Sequence, residues 1–377
     1  MDYRARRDRI FRDFADGIDP WQDDFIAGKF NLVSAALHNY LPGLDYGQHE
    51  RIFSDILMHQ QLSTLEQECP EALEYLTCED LDAFKWSLLR AGGTVVCTFH
   101  TGSYRIINQL LIKNNIPYTL VIASSVLKTQ GAELQMIYGQ LSGKGGPGNF
   151  DLIDAESPGA GLKMLRELKK GKNLVLYIDG NTGSGDEEGE KNNSCDIGFL
   201  AQRLSARKGI AFLAHVAKAP ILTAVCYRPA TDDIRLRFFD PVFPSAEERE
   251  TFAHETTQGI YDRAAPVIAN YPGQWEAWTY LHKSVNIVSP ATIRKAIRPA
   301  AWKDSQLFTL NLPEYGIFSV EDEKFLFRKA GFESYNIDDR LYHLLHAFML
   351  NPGPKSKLDE NVFGELFENG VLVPCIS

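Results

Sequence analysis

Two short runs carry the side chains best suited to chemistry. His100-Thr-Gly-Ser-Tyr-Arg105 follows a β-prone apolar run at 94–99, so an ionisable imidazole stands where a strand ends and a helix begins. Asp179-Gly-Asn-Thr-Gly-Ser-Gly185 follows a second apolar run, at 173–178, in the same way. In open α/β sheets, ligands collect just outside the carboxyl ends of strands. A neutral imidazole placed there can accept a proton near neutral pH. Taken alone, each run also has a plainer reading: a structurally satisfied histidine, and a loop whose glycines serve turn geometry.

The elements that must position these runs follow from pattern. Apolar side chains recur at helical spacing in Ile10, Phe11 and Phe14 and again in Phe25, Ile26, Phe30, Val33 and Leu37, with Pro20, Pro42 and Pro70 as punctuation. From Gly93 onward, strands expected at 94–99, 118–123, 151–154, 173–178 and 221–227 alternate with helices. Those helices are expected at 105–114, around Leu162, Leu165 and Leu168, and around Phe212 and Val216. Such alternation predicts an α/β fold, a mixed, mainly parallel sheet with helices on both faces. The alternating run 235–239 reads as an edge strand, and 245–270 as a long helix ended by Pro272.

After 289–302, rich in Ala, Pro, Arg and Lys, the grammar changes. Three short strands at 307–312, 317–320 and 324–327 precede a helix capped by Asp338 and a second helix at 359–368. The expected organisation is a helical segment at 1–90 packing on the core, an α/β domain at 91–288, and a small α+β domain at 300–377.

Bulk properties exclude several classes. With 377 residues, 44% of them hydrophobic and 23% charged, the chain is globular and long enough for more than one core. Its net charge of −10 leaves no clustered cation excess for phosphates, so no nucleic-acid partner is expected. The six cysteines form no CxxC pair, which argues against a zinc site or disulfide framework and for a reducing, cytoplasmic setting. No apolar stretch is long enough to span a bilayer and the N-terminus is charged, so neither a transmembrane segment nor a signal peptide is expected.

The basic start, Arg4, Arg6, Arg7 and Arg9, reads as a solvated helix face. Gly143-Lys-Gly-Gly-Pro-Gly148 lacks the Gly-Lys-Ser/Thr ending of a phosphate loop, and 179–190 carries Ser184 where a calcium loop needs glycine. Gly183-Ser-Gly185 is too short for a hydrolase elbow. No metal ligand set is read.

Taken in order, four blocks resemble the lysophospholipid acyltransferase superfamily, and within it the lipid A late acyltransferase (lauroyl/myristoyl transferase) branch. They are Gly93-Thr-Val-Val-Cys-Thr-Phe-His100-Thr-Gly; Ala160 to Gly171 with Leu174-Val-Leu-Tyr-Ile-Asp179; Gly198-Phe-Leu, Gly209 to Ala214 and Lys218-Ala-Pro-Ile-Leu222; and Tyr271-Pro-Gly-Gln-Trp275 with Trp278. The likeness covers about residues 80–285 and lies in their order, each piece being weak alone. It implies transfer of an acyl group from a carrier-protein or coenzyme A thioester to a hydroxyl or amine, with His100 as general base and no bound cofactor.

The family pattern places a carboxylate five positions after its histidine, where this chain has Arg105. Three readings stand open. A carboxylate from elsewhere, Asp179 or Glu276, supports His100; or His100 works without one; or the site has been turned over to binding. Arg105 and Arg203 are expected to meet anionic groups of donor or acceptor, with Ser103 and Glu276 also at the substrate. Because no membrane anchor is read, a soluble small molecule or a peptide is the expected acceptor, with an acyl carrier protein as a possible partner. The rival is a non-catalytic protein that keeps the fold and holds a peptide or carrier. The C-terminal part loosely resembles the winged-helix module that captures leader peptides, which implies pairing of an extended peptide along a strand edge; a plain packing or dimerisation domain is the alternative.

Overall fold

A computed structural model describes residues 2–141, 149–180, 193–287 and 306–375. The glycine-rich run at 143–148, most of the loop after Asp179 and the segment 289–302 lie outside the described residues. Two compact units emerge: Met1–Gly17, Ser54–Ala277 and Lys283–Asn286 form the first, and Ile18–Phe53, Trp278–His282 and Ile287–Ser377 the second.

The first unit is a mixed α/β structure with a mostly parallel sheet. Its strands are β1 (Leu76–Glu79), β2 (Val95–Thr98), β3 (Tyr118–Ile122), β4 (Phe150–Asp154), β5 (Asn173–Tyr177), the pair β6 (Ser194–Phe199) and β7 (Gln202–Arg207), then β8 (Ile221–Ala230), β9 (Asp233–Phe238) and the short β10 (Val285–Asn286). Seven of them form one sheet in the order β1-β9-β8-β2-β5-β3-β4, and β10-β7-β6 form a smaller one. Neighbours run parallel from β8 through β2, β5 and β3 to β4, while β9 opposes β8. The run expected as an edge strand, β9, is instead covered by β1. That strand falls inside the stretch read as helical, because four residues, three of them half-buried and one exposed, carry too little alternation to announce themselves.

The helices of this unit are α1 (Tyr3–Asp13), then, beyond α2 (Asp24–Tyr40) of the second unit, α3 (His49–Glu68), which begins in the second unit and runs into the first, α4 (Ala83–Ala91), α5 (Ile106–Lys113), α6 (Ser124–Leu141), α7 (Ala160–Lys169), α8 (Gly209–Ala217) and α9 (Arg249–Asn270). Val96, Ile107, Leu111, Leu120, Val175 and Leu222 meet in its core. All four residues of β2 are buried, as expected for a central strand covered on both faces.

One side chain sets the entry of three strands. Asn173 is fully buried; its Nδ2 donates to the carbonyls of Leu89 (2.8 Å) and Pro117 (3.1 Å), and its Oδ1 accepts from the Thr94 amide (3.1 Å). Nearby, Gly92 has φ +74°, and a Cβ there would lie 1.8 Å from the Gly171 carbonyl oxygen, so the turn before β2 admits only glycine. The resulting register pairs Val95 with Leu174 and Thr98 with Tyr177. His100 and Asp179 each lie two residues beyond that last pair, so they leave the sheet side by side.

The second unit holds two three-stranded sheets. In one, β11 (Leu307–Leu310) lies between β15 (Gly353–Pro354) and β16 (Leu372–Pro374); in the other, β12 (Tyr315–Val320), β13 (Glu323–Arg328) and β14 (Glu333–Ile337) form a meander. Helices α10 (Asp339–Leu350), capped by Asp338 at 2.7 Å, and α11 (Glu360–Glu368) complete a core that includes Phe308, Ile317, Leu345, Phe348 and Phe363. Helix α2 belongs here: Asn31 donates to the Ile317 carbonyl (3.0 Å) and Asn39 to that of Lys329 (2.7 Å). Helical periodicity shows that such a helix buries a face but not which element covers it.

Asn173→Leu strands the Thr94 amide and the Leu89 carbonyl, while the Pro117 carbonyl keeps the backbone amide of residue 173. It is expected to lower unfolding stability by about 2–4 kcal/mol, read by urea denaturation. An unchanged midpoint would mean that backbone pairing alone fixes the register.

Candidate active site

The carboxyl ends of β2 and β5 deliver two ionisable side chains to one place. The His100 Nδ1 stands 2.8 Å from Asp179 Oδ1, and the His100 backbone amide donates to Asp179 Oδ2 at 2.9 Å. A third donor comes from far along the chain, the Trp275 indole N–H, 2.7 Å from Oδ2. The Asp179 side chain is 2% exposed and that of His100 21%, so the carboxylate is sealed while the imidazole stays partly exposed. A carboxylate accepts and cannot donate, so the proton of this contact lies on Nδ1 of a neutral ring. The Nε2 lone pair is left to act as base.

The loop carrying His100 is locked from two sides. Gly102 donates to the Gln274 carbonyl and Glu276 to the His100 carbonyl, each at 2.9 Å, an antiparallel bridge between Thr101 and Trp275. Gln274 also clamps the backbone of Arg228, accepting from its amide (2.8 Å) and donating to its carbonyl (2.7 Å). Gly102 has φ +57°, and a Cβ there would sit 2.9 Å from Tyr227 Cα, so this close approach excludes side chains. Phe199 packs against Trp275 at 5.3 Å between ring centroids and against Tyr261 at 5.5 Å, which aims the indole at Asp179.

Two tyrosines hold the imidazole. Tyr177 lies tilted against it at 4.6 Å and Tyr104 edge-on at 4.9 Å, measured between centroids. Burial, the largest influence, pushes His100 toward the neutral form. The charge and hydrogen bond of Asp179, aided by Glu276 and opposed by Arg105, outweigh it, and the imidazole rests above its ordinary value of 6.5. Burial pushes the Tyr177 phenol up to about 12, so it stays a neutral hydroxyl.

The other expected residues are distributed unevenly. Glu276 reaches the site through Tyr104, whose hydroxyl donates to its Oε2 at 3.2 Å. Arg105 is turned toward protein partners: its Nε donates to Tyr104 Oη (3.2 Å) and its Nη1 to Gln67 Oε1 (3.1 Å). Ser103, expected at the substrate, is fully buried and accepts from Arg228 Nη2 at 3.1 Å. There it joins a closed network in which Arg228 pairs with Glu66, and Tyr3 donates to Glu66 Oε1 at 2.9 Å. Arg203 lies on the β6–β7 hairpin, where its Nε meets Asp196 Oδ2 at 2.6 Å, a pair within the hairpin.

Pattern reading missed Tyr104 and Tyr177 as ring supports, Trp275 as a donor, and the Glu66–Arg228 pair. Arg228 left a signal as a charge inside the apolar strand β8, and Trp275 as the aromatic that closes the block at 271–275. Among the described residues no group of three or more His, Cys, Asp or Glu is placed to hold a metal ion.

No family model matches the chain, and no curated protein matches it. Among solved structures, the 1-acyl-sn-glycerophosphate (LPA) acyltransferase of Thermotoga maritima is similar, with a TM-score of 0.34 and 12% identity, over 65% of this chain and 95% of that one. A likeness of that size decides nothing about chemistry, which follows instead from the side chains.

Replacing Asp179 by Asn removes the largest influence favouring the imidazolium. The titration midpoint of His100, followed by NMR, is expected to fall from above 6.5 to below it. A histidine with a raised pKa stabilises the fold fully below its unfolded value, and this contribution is lost as pH rises through the folded value. In Asp179→Asn that pH-dependent component should vanish from the stability profile between 6.5 and the folded midpoint. An unmoved midpoint would show that the two side chains are not coupled.

Proposed function

We propose that the first unit transfers an acyl group from a thioester, carried by an acyl carrier protein or coenzyme A, to a hydroxyl or amine of a soluble small molecule or peptide. The observation that supports this best is the 2.8 Å contact of His100 Nδ1 with Asp179, which leaves Nε2 as the base on a ring that is partly exposed. Of the three readings left open by Arg105, this geometry favours a carboxylate supplied from another strand. The ordered blocks around His100, Asp179 and Trp275, which resemble the lipid A late acyltransferase branch, add the expectation of a thioester donor.

In this reading the acceptor O–H or N–H gives its proton to Nε2 as its oxygen or nitrogen forms a bond to the thioester carbonyl carbon. Asp179 stabilises the imidazolium and holds its tautomer, as the acid of a triad does. The tetrahedral intermediate collapses with cleavage of the C–S bond, and the departing thiolate takes the proton back from Nε2. A reducing, cytoplasmic setting suits six cysteines that are all free thiols. No helix among the described residues is long and apolar enough to cross a membrane.

The test is acceptor-dependent release of free thiol from a panel of acyl-coenzyme A and acyl-carrier thioesters, with hydroxyl and amine acceptors. His100→Ala should reduce it by about 10²–10⁴-fold while circular dichroism still shows a folded chain, somewhat less stable for the donor that Asp179 loses. Near-parental turnover in His100→Ala would remove the general base from the account. Tight thioester or peptide binding with no release by the parent chain would favour the non-catalytic holder instead.

A further inference from the structure

Beyond Asp179, a second set of groups surrounds the His100 imidazole. Arg105 donates to Tyr104 (3.2 Å) and Tyr104 donates to Glu276 (3.2 Å), so one phenol bridges a cation and an anion. Both ends are anchored. Gln67 of α3 accepts from Arg105 at 3.1 Å, and the Glu276 amide is bonded to the His100 carbonyl at 2.9 Å. Asn108 of α5 closes the circuit, donating to the Arg105 carbonyl (3.2 Å) and to Tyr177 Oη (3.3 Å). The His100 ring is thus held between two tyrosines whose hydroxyls are fixed by this one network.

We propose that Arg105, Tyr104 and Glu276 form a positioning chain that fixes the His100 imidazole and balances the charge around it. Arg105 is then a positioning residue, not a clamp for an anionic substrate group. Two of the three guanidinium nitrogens are committed to protein acceptors, which is the arrangement of a fork spent on structure rather than held open for a ligand. A lone arginine beside a general base would disfavour its protonated form; a glutamate one phenol away offsets it. The chain therefore tolerates a cation five residues after His100 because the opposite charge arrives from residue 276. The groups facing the imidazole are Asp179, Glu276, Arg105, Tyr104 and Tyr177, and the balance among them is what the substitutions below disturb.

This inference rests on His100 acting as a base, and its test is chosen to stand apart from turnover. The His100 imidazole is titrated by NMR in the full chain. Glu276→Gln removes an anion and should lower the midpoint, and Arg105→Gln removes a cation and should raise it, each by roughly half a pH unit. Arg105→Lys keeps the charge and should leave the midpoint near that of the parent, serving as the folded control. If Arg105→Gln does not fold, the fall in Glu276→Gln carries the test alone.

Tyr104→Phe keeps the ring but breaks both bonds, and should lower kcat about tenfold or more with KM unchanged. Midpoints that stay put, or move in the same direction, would overturn the proposal. So would Arg105→Gln losing affinity for a thioester or anionic acceptor with no change in midpoint, the behaviour of a clamp. Should acyl transfer itself prove absent, the opposed midpoints would still appear if the chain acts as described.

Discussion

A carboxylate shut away from water must be met by donors or not be there at all. Asp179 is such a group, and much of the first unit is arranged to meet it. Its two oxygens take the backbone and side chain of His100 from one strand end and the indole of Trp275 from a segment almost a hundred residues later. Two of these contacts serve stability, and the third also sets the tautomer of the imidazole. The same bonds that make the buried charge tolerable therefore prepare the base, so fold and chemistry cannot be separated here.

Each layer beneath has its own cause. Asn173 ties the starts of β2, β3 and β5 together, and the register it helps to set carries through to the opposite edge, where His100 and Asp179 emerge as neighbours. Glycine at 102 lets the loop lie against β8, and Gln274 holds both the loop and the Arg228 backbone. Below lies a buried ion pair, Glu66 with Arg228, whose removal on one side would leave an uncompensated charge. Ser103 belongs to that support, its hydroxyl accepting from Arg228 although it lies only three residues after His100.

What the amino-acid sequence disclosed, and what it did not, divides along physical lines. Strand ends were legible, because a run of buried β-prone residues stops where polar residues begin, and this placed both His100 and Asp179 at the edge of the sheet. Strand order was not, since pairing depends on surfaces brought together from distant residues; β1 covering β9 and β11 lying apart from β12 left no periodic trace. Charges were visible as residues but not as pairs. Arg105 read as a cation for an anionic group of donor or acceptor, and only the fold shows its nitrogens bound to Tyr104 and Gln67. Arg203 likewise found its partner across a hairpin that the sequence did not announce. Residues 18–53 show the same limit, being helical by pattern yet assigned by contact with the C-terminal residues.

The central claim is that Asp179 fixes the proton of neutral His100 on Nδ1 and leaves Nε2 as the base. Nitrogen-15 NMR of the imidazole above its titration midpoint tests this directly, because protonated and bare ring nitrogens resonate far apart. The account predicts a protonated Nδ1 and a bare Nε2 in the parent chain. A neutral ring carrying its proton on Nε2 would contradict it, since Asp179 would then face a lone pair and Nε2 would have none with which to take a proton.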